Sequence, residues 1–247
     1  MYHRFFLIPE TFVLSRNEKA RIFCNSTDNF MEGDAVISHE RIKACKVTGM
    51  NQDIEIKDFY KEAKSLVFDI PPLKEGIYFV HIVLKSRIID LNAEKFNSYL
   101  IHENLSEVLN LIETQKLHKD IFKEEYTHHA KSLIQVGQPT GDLDLSIPLG
   151  HKIEIVPESN PQKLKAGDIL KVKALYEGQP LPFATLSYGN SQYPYTTQAD
   201  EYGMAKIKLW RQGKWFIHTI HMIPSNRGDE IDWESFWTTF TFEVRVV

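Results

Sequence analysis

Asp168-Ile169-Leu170-Lys171-Val172-Lys173-Ala174-Leu175-Tyr176 alternates polar and apolar side chains through its middle, the period of a strand with one face on a core and the other in water. The same period returns on both sides of it. Upstream, Lys152-Ile153-Glu154-Ile155-Val156-Pro157 alternates. Downstream, Glu177-Gly178-Gln179-Pro180 is a tight turn, followed by strand patterns at Ala184 to Tyr188, Pro194 to Gln198, Met204 to Leu209, Lys214 to Met222 and Phe236 to Val247. Asp200-Glu201-Tyr202-Gly203 joins two of them, with Gly where a left-handed residue is wanted. About seven short strands at this spacing are the rhythm of an immunoglobulin-like or transthyretin-like sandwich.

Toward the N-terminus the strands are shorter: Arg4 to Leu7, Lys19 to Cys24, Arg41 to Val47, Ser65 to Ile70 and Ile77 to Lys85. Ile77 to Leu84 is almost unbroken in apolar and β-forming residues, which predicts a strand buried on both faces. Between Asn92 and Lys131 the period changes. Phe96, Tyr99 and Leu100, then Leu105, Val108, Leu109 and Ile112, fall on helical stripes. Asn92 is placed to cap the first helix and Asn104 or Ser106 the second, with a third short helix over Ile121 to Ala130. Ser132 to Gly137 returns to strand, and Gln138 to Gly150 has Gly and Pro without periodicity. The expected architecture is mainly β, with two tandem sandwich domains. The first spans 1–137 with a helical insertion at about 92–131, and a linker at 138–150 leads to the second, 151–247.

The 247 residues are 43% hydrophobic and 25% charged, an ordinary balance for a globular chain. A net charge of −4 with no Lys/Arg block gives no electrostatic footprint for nucleic acid. No apolar run approaches the ~20 residues of a membrane-spanning helix. The opening Met1-Tyr2-His3-Arg4-Phe5-Phe6-Leu7-Ile8-Pro9 reaches Pro too soon for a signal peptide. The chain is then either cytosolic or a mature exported form with Met1 added, and its all-β character favours the second. Cys24 and Cys45 lie on two predicted strands, where they form either a disulfide or a pair of buried thiols.

Several segments together resemble a known family. They are His3-x-Phe5-Phe6-Leu7-x-Pro9, Tyr126 with Lys131-Ser132-Leu133 and Gln135-Val136-Gly137, Glu154-Ile155-Val156-Pro157 with Asn160-Pro161, Gly213-Lys214-Trp215, His221-Met222 and Asp232-Trp233-Glu234-Ser235-Phe236-Trp237. In this order they are similar to an uncharacterised bacterial family, usually exported and often labelled the periplasmic component of a cobalt/nickel ABC-type transport system. Members tend to carry Arg near Thr127-His128-His129, where this chain has His128. The resemblance implies a removed signal peptide, a periplasmic or secreted location, a transthyretin-like C-terminal module, handling of a divalent transition metal and a membrane metal transporter as partner.

Imidazole suits nickel, cobalt, copper and zinc, so the histidines are the candidate ligands. His3 sits near the amino terminus. His221 shares a predicted strand with His218, but the two point to opposite faces; His218 falls with Phe216, Ile220 and Met222 on the apolar side. His3 and His221 are therefore the expected metal residues. In the predicted third helix, Glu125 and His129 would stand four apart beside His128, and His102 lies in the first. Asp229-Glu230-x-Asp232 is a short acidic loop. No nucleophile elbow, dinucleotide fingerprint, phosphate loop or zinc-protease motif is present, so a non-enzymatic binding protein is expected. Trp210, Trp215, Trp233, Trp237, Tyr188, Tyr193, Tyr195 and Tyr202 offer the alternative, a glycan- or protein-interaction module.

Overall fold

The computed structural model describes residues 3–34, 36–138, 144–190 and 194–245, apart from the Asp229 side chain. It is mainly β, with 52% strand and 12% helix. The N-terminal part contributes β1 (Arg4–Pro9), β2 (Val13–Leu14), β3 (Ala20–Thr27), β4 (Ile42–Gly49), β5 (Gln52–Glu55), β6 (Tyr60–Glu62), β7 (Ser65–Ile70), β8 (Gly76–Leu84) and β9 (Arg87–Asn92). Helices α1 (Ala93–His102) and α2 (Ser106–Thr114) and a long strand, β10 (Ile121–Val136), follow. The C-terminal part adds β11 (Ile153–Pro157), β12 (Ile169–Tyr176), β13 (Gln179–Pro180), β14 (Thr185–Gly189), β15 (Tyr195–Gln198), β16 (Met204–Lys208), β17 (Gly213–Pro224) and β18 (Trp233–Val244).

One ten-stranded sheet runs through the molecule in the order β15-β14-β17-β18-β10-β8-β4-β5, with β2 and β9 also paired to β10. Its hinge is the parallel pair β10 and β18, in register from Glu124 beside Trp233 to Ser132 beside Thr241. The expected tandem sandwiches thus share one sheet. On one face, the sheet β1-β3-β7-β6 packs Phe5, Leu7, Ile22 and Phe68 against Val47, Val80, Ile82 and Ile134. On the other, β11, β12, β13 and β16 pack Ile155, Leu170, Val172 and Ile207 against Trp215, Ile217, Phe240 and Phe242. Fully burying each such side chain contributes about 1.5–3 kcal/mol.

The two helices lie over the first face beside β1. Phe96, Tyr99 and Leu100 of α1 and Val108 of α2 bury against Phe122, Ile220, Trp233 and Trp237. Asn92 caps α1, its side-chain oxygen accepting from the Lys95 amide at 2.9 Å. The cap position of α2 is Leu105, without a side-chain hydrogen bond, rather than Asn104 or Ser106. The third helix is not formed: Ile121 to Ala130 is the first part of β10. Phe122, Tyr126, Ala130 and Ile134 recur every fourth residue, a spacing that fits a helix stripe and also every second residue of one strand face. Two flanking strands, β9 and β18, supply the backbone partners that decide between them.

Cys24 and Cys45 are free, buried thiols in the core between β3 and β4, and burial raises both above their usual range. Gly203 has φ +73°, as its turn requires, and a Cβ there would stand 2.6 Å from the Ala174 carbonyl oxygen. Gly203→Ala is expected to lose about 2 kcal/mol or more in denaturant unfolding, since left-handed backbone and overlap act together.

Candidate functional site

His3 immediately precedes β1, and β1 is fixed to the central sheet by two side chains of β18. Thr239 and Thr241 donate from their hydroxyls to the Phe5 and Leu7 carbonyls, each at 2.6 Å. This carries His3 to the rim of a cavity of about 510 Å³ between β1, β9 and β10. Tyr126 and His128 stand two apart on β10 and so share its face; the parallel register sets Trp237 of β18 beside His128. Arg87 opens β9 opposite Tyr126, and Arg41 reaches in from the turn ahead of β4.

The rings form a continuous wall. His128 lies 5.2 Å from Trp237, 5.5 Å from Tyr126 and 6.1 Å from Phe5, measured between centroids. Burial holds His128 well below its usual pKa, and Arg41 pushes the same way. The Arg41 guanidinium lies 5.5 Å over Tyr126 and donates from Nη2 to the Lys85 carbonyl at 3.1 Å, while its buried Nε has no partner. Burial draws Arg41 down from its ordinary value; Tyr126 opposes this and the Arg87 charge adds to it. His3 Nδ1 is 3.5 Å from Asp28. A second cavity of about 690 Å³ shares Asp90 and Leu91 with the first and adds Asp28, Tyr99 and His102.

Two buried networks hold this wall in place. Tyr99 stacks on Trp237 at 5.8 Å and 6°, and its hydroxyl donates to Glu124 at 3.1 Å. Ser235 also donates to Glu124 and accepts from the Trp237 indole at 3.0 Å. Burial pushes Glu124 up to about 7 despite these donors. Next to it, Arg4 donates to Glu103 at 3.2 Å, His218 Nε2 lies 3.5 Å from the same carboxylate, and His102 pairs with it at 2.8 Å. Burial alone would raise Glu103, but His218, Arg4 and His102 together bring it to about 2. His218 is thus enclosed on the apolar face, with Nδ1 bonded to the Thr238 carbonyl at 3.0 Å.

His221 is elsewhere. It turns toward β12, with its ring 4.5 Å from Tyr176, and lines a separate cavity of about 260 Å³ with Phe183 and Gln198. Burial lowers its pKa and Glu177 opposes the change. His3 and His221 line different cavities, so the structure does not bring the two expected metal residues together. His128 and His129, being adjacent on a strand, point to opposite faces. Glu125 does not meet His129; it accepts from Ser86 at 2.6 Å and pairs with Arg227. His129 instead joins His81 and His151 on the other face. His81 Nδ1 and His151 Nε2 share a 2.9 Å hydrogen bond, and both nitrogens of His129 are buried without partners. Beside them Lys131 donates to Glu154 at 2.7 Å, both side chains almost fully buried. Among the described residues, no three His, Cys, Asp or Glu side chains gather where they could hold a metal ion.

In the acidic loop Asp232 accepts from the Lys123 amide at 2.8 Å and pairs with Lys119. Of the aromatic group, Trp215, Trp233 and Trp237 are buried, while Tyr195 is 59% exposed and meets Trp210 at 4.5 Å; Tyr193 lies outside the described residues. Arg41 and Arg87 line the cavity beside His3 and were passed over by the sequence reading. Neither sits in a basic cluster, and only the fold brings them to one wall.

A family model described as a domain of unknown function, DUF4198, matches residues 3–223. No curated protein matches the chain. Among solved structures, the D0-D1 domain of intimin is 11% identical, with 98% of this chain and 97% of that one covered at a TM-score of 0.24. Clostridium thermocellum CbhA fibronectin(III)-like modules are 10% identical, covering 97% and 94% at 0.22. The Bacteroides ovatus protein SGBP-B, solved with a mixed-linkage heptasaccharide, is 11% identical, covering 97% and 45% at 0.21. None superposes closely enough to bear on the ligand. With nearly its whole length matched, the chain belongs to the DUF4198 family.

Proposed function

We propose that this chain is an exported, non-enzymatic binding protein whose ligand enters the cavity bordered by His3, Tyr126, His128 and Trp237. The observation that carries this reading is the cavity itself. Its volume suits a small molecule, its walls mix flat rings with a few polar groups, and buried networks under Trp237 fix its shape before any ligand arrives. Nickel, cobalt, copper or zinc delivered to a membrane transporter remains the finer reading. His3 and His128 offer imidazoles, but no third protein ligand joins them among the described residues, so the ion would arrive with its own chelator.

The test is thermal unfolding with Ni(II), Co(II), Cu(II) or Zn(II), each alone and as its citrate complex. The complexes are expected to raise the melting temperature, His3→Ala to weaken that effect, and His221→Ala to leave it unchanged. Stabilisation lost with His221→Ala but kept in His3→Ala would contradict the assignment. A second reading has its own observation: Tyr195, exposed on edge strand β15 and backed by Trp210, is a platform for a sugar ring. If that face binds glycan, array signal will appear and Tyr195→Ala will abolish it; no signal on the array removes this reading.

A further inference from the structure

We infer that the cavity beside His3 recognises the oxyanion of its ligand, a carboxylate or phosphate held between Arg41 and Arg87. The inference rests on the binding-protein reading and names the ligand class for the same site. Both guanidiniums line the cavity, and the Arg87 charge adds to burial in disfavouring the charge on Arg41. Among the described residues neither is paired with a carboxylate; Asp90 is on the same wall and joins neither. Arg41 donates to the Lys85 carbonyl through Nη2 and interacts with Tyr126, and its buried Nε has no hydrogen-bond partner among the described residues. The half-buried Arg41 charge, with one buried donor unsatisfied and a second guanidinium near it, is unfavourable until an acceptor with negative charge arrives.

Guanidinium is suited to that acceptor. Its fork of N–H donors matches two oxygens of a carboxylate or phosphate, and it cannot lose its charge to relieve the repulsion. Tyr126 lies under Arg41 and keeps the guanidinium plane available at its edge. His128, neutral in its burial, adds no competing charge. A metal ion with a polycarboxylate chelator fits the same chemistry, with the free carboxylates on the arginines and an open coordination position toward an imidazole.

The inference is tested by calorimetric titration of the whole chain with citrate, with inorganic phosphate and with trimethyl citrate, the neutral ester. Citrate, phosphate or both are expected to bind, with affinity falling as salt rises; the ester is expected not to bind. Binding by citrate alone assigns a carboxylate, and by phosphate alone a phosphate. Arg87→Gln, an exposed position where folding is not at risk, is expected to weaken binding at least tenfold, about the worth of one charge-assisted hydrogen bond. Arg41→Gln is expected to weaken it further. Failure of both anions to bind at millimolar concentration, equal binding of the ester, or unchanged affinity in both variants would overturn the inference. If metal–citrate stabilisation still depends on His3 while both arginine variants behave as wild type, the oxyanion assignment fails and the binding-protein reading stands.

Discussion

Glu154→Gln is expected to cost about 3–5 kcal/mol of folding stability, because it breaks a buried ion pair. Glu154 lies at the entry to β11 and accepts from Lys131 Nζ at 2.7 Å and from the Leu149 amide at 3.0 Å through one oxygen. Its other oxygen accepts from the Gly150 and His151 amides at 3.2 and 3.4 Å. One carboxylate therefore neutralises a buried ammonium of β10 and also holds the chain where the C-terminal sheet begins. Among the described residues Lys131 pairs with no other anion; the Phe79 and Phe240 rings, 4.8 and 5.6 Å away, give it only their faces. Glutamine keeps the shape and removes the charge, leaving Lys131 to be desolvated alone or to lose its proton. Burial already draws its pKa down, with Glu154 as the opposing influence. Denaturant unfolding at neutral pH checks this, and a loss below about 1 kcal/mol would contradict it. Lys131→Met with Glu154→Gln together is expected to recover part of the loss, because no buried charge then remains.

Acid is expected to destabilise the protein well above the usual carboxylate range. Burial lowers His81 and His129 to about 4, so both stay neutral in the folded chain where an unfolded imidazole near 6.5 takes up a proton. Their contribution is level above pH 6.5 and is lost as pH falls from 6.5 to 4, roughly 3 kcal/mol for each. Glu154 and Asp53 work against this lowering, while Lys131, Lys46, Lys43 and Lys152 add to it. Glu124 acts in the opposite sense. Held near 7, it keeps its proton in the folded chain, so its cost is full above pH 7 and is relieved as pH falls toward 4.5, recovering roughly 3 kcal/mol. Together these three groups lose roughly 3 kcal/mol between pH 6.5 and 4.5, and His128 and His151, which burial also holds well below the usual imidazole range, add to the loss in the same direction. Below 4.5 it steepens, as Glu103, held near 2, begins to lose its contribution as well. His129→Leu removes two unpartnered buried nitrogens and one proton site. It is expected to be neutral or stabilising at pH 7 and to flatten the acid limb by roughly 3 kcal/mol by pH 4. An acid limb parallel to the wild type would contradict the assignment.

Where the side-chain period was unambiguous, strands were legible from residues alone. β7 and β12 fall within a residue of the stretches read from the sequence, and Asn92 and Gly203 play the cap and turn roles their chemistry suggests. β10 was not legible, because its apolar residues at every fourth position satisfy two periods. The polar residues between them, Glu124, His128 and Ser132, are buried with partners from β18, α1 or β1 that no local pattern announces. Misreading β10 also misplaced the histidines: on a helix Glu125 and His129 would share a ligand face, whereas on a strand His128 and His129 part to separate clusters. His3 was found for its chemistry, but its surroundings depend on Arg41, Arg87, Tyr126 and Trp237, four elements far apart in sequence.

NMR of arginine Nε–H and histidine ring resonances during citrate titration reads the location of the ligand directly. Saturable shifts at Arg41, Arg87, His3 and His128, with His221 and His129 unmoved, are the expected result. Shifts confined to His221, or none at either arginine under saturating citrate, would contradict it.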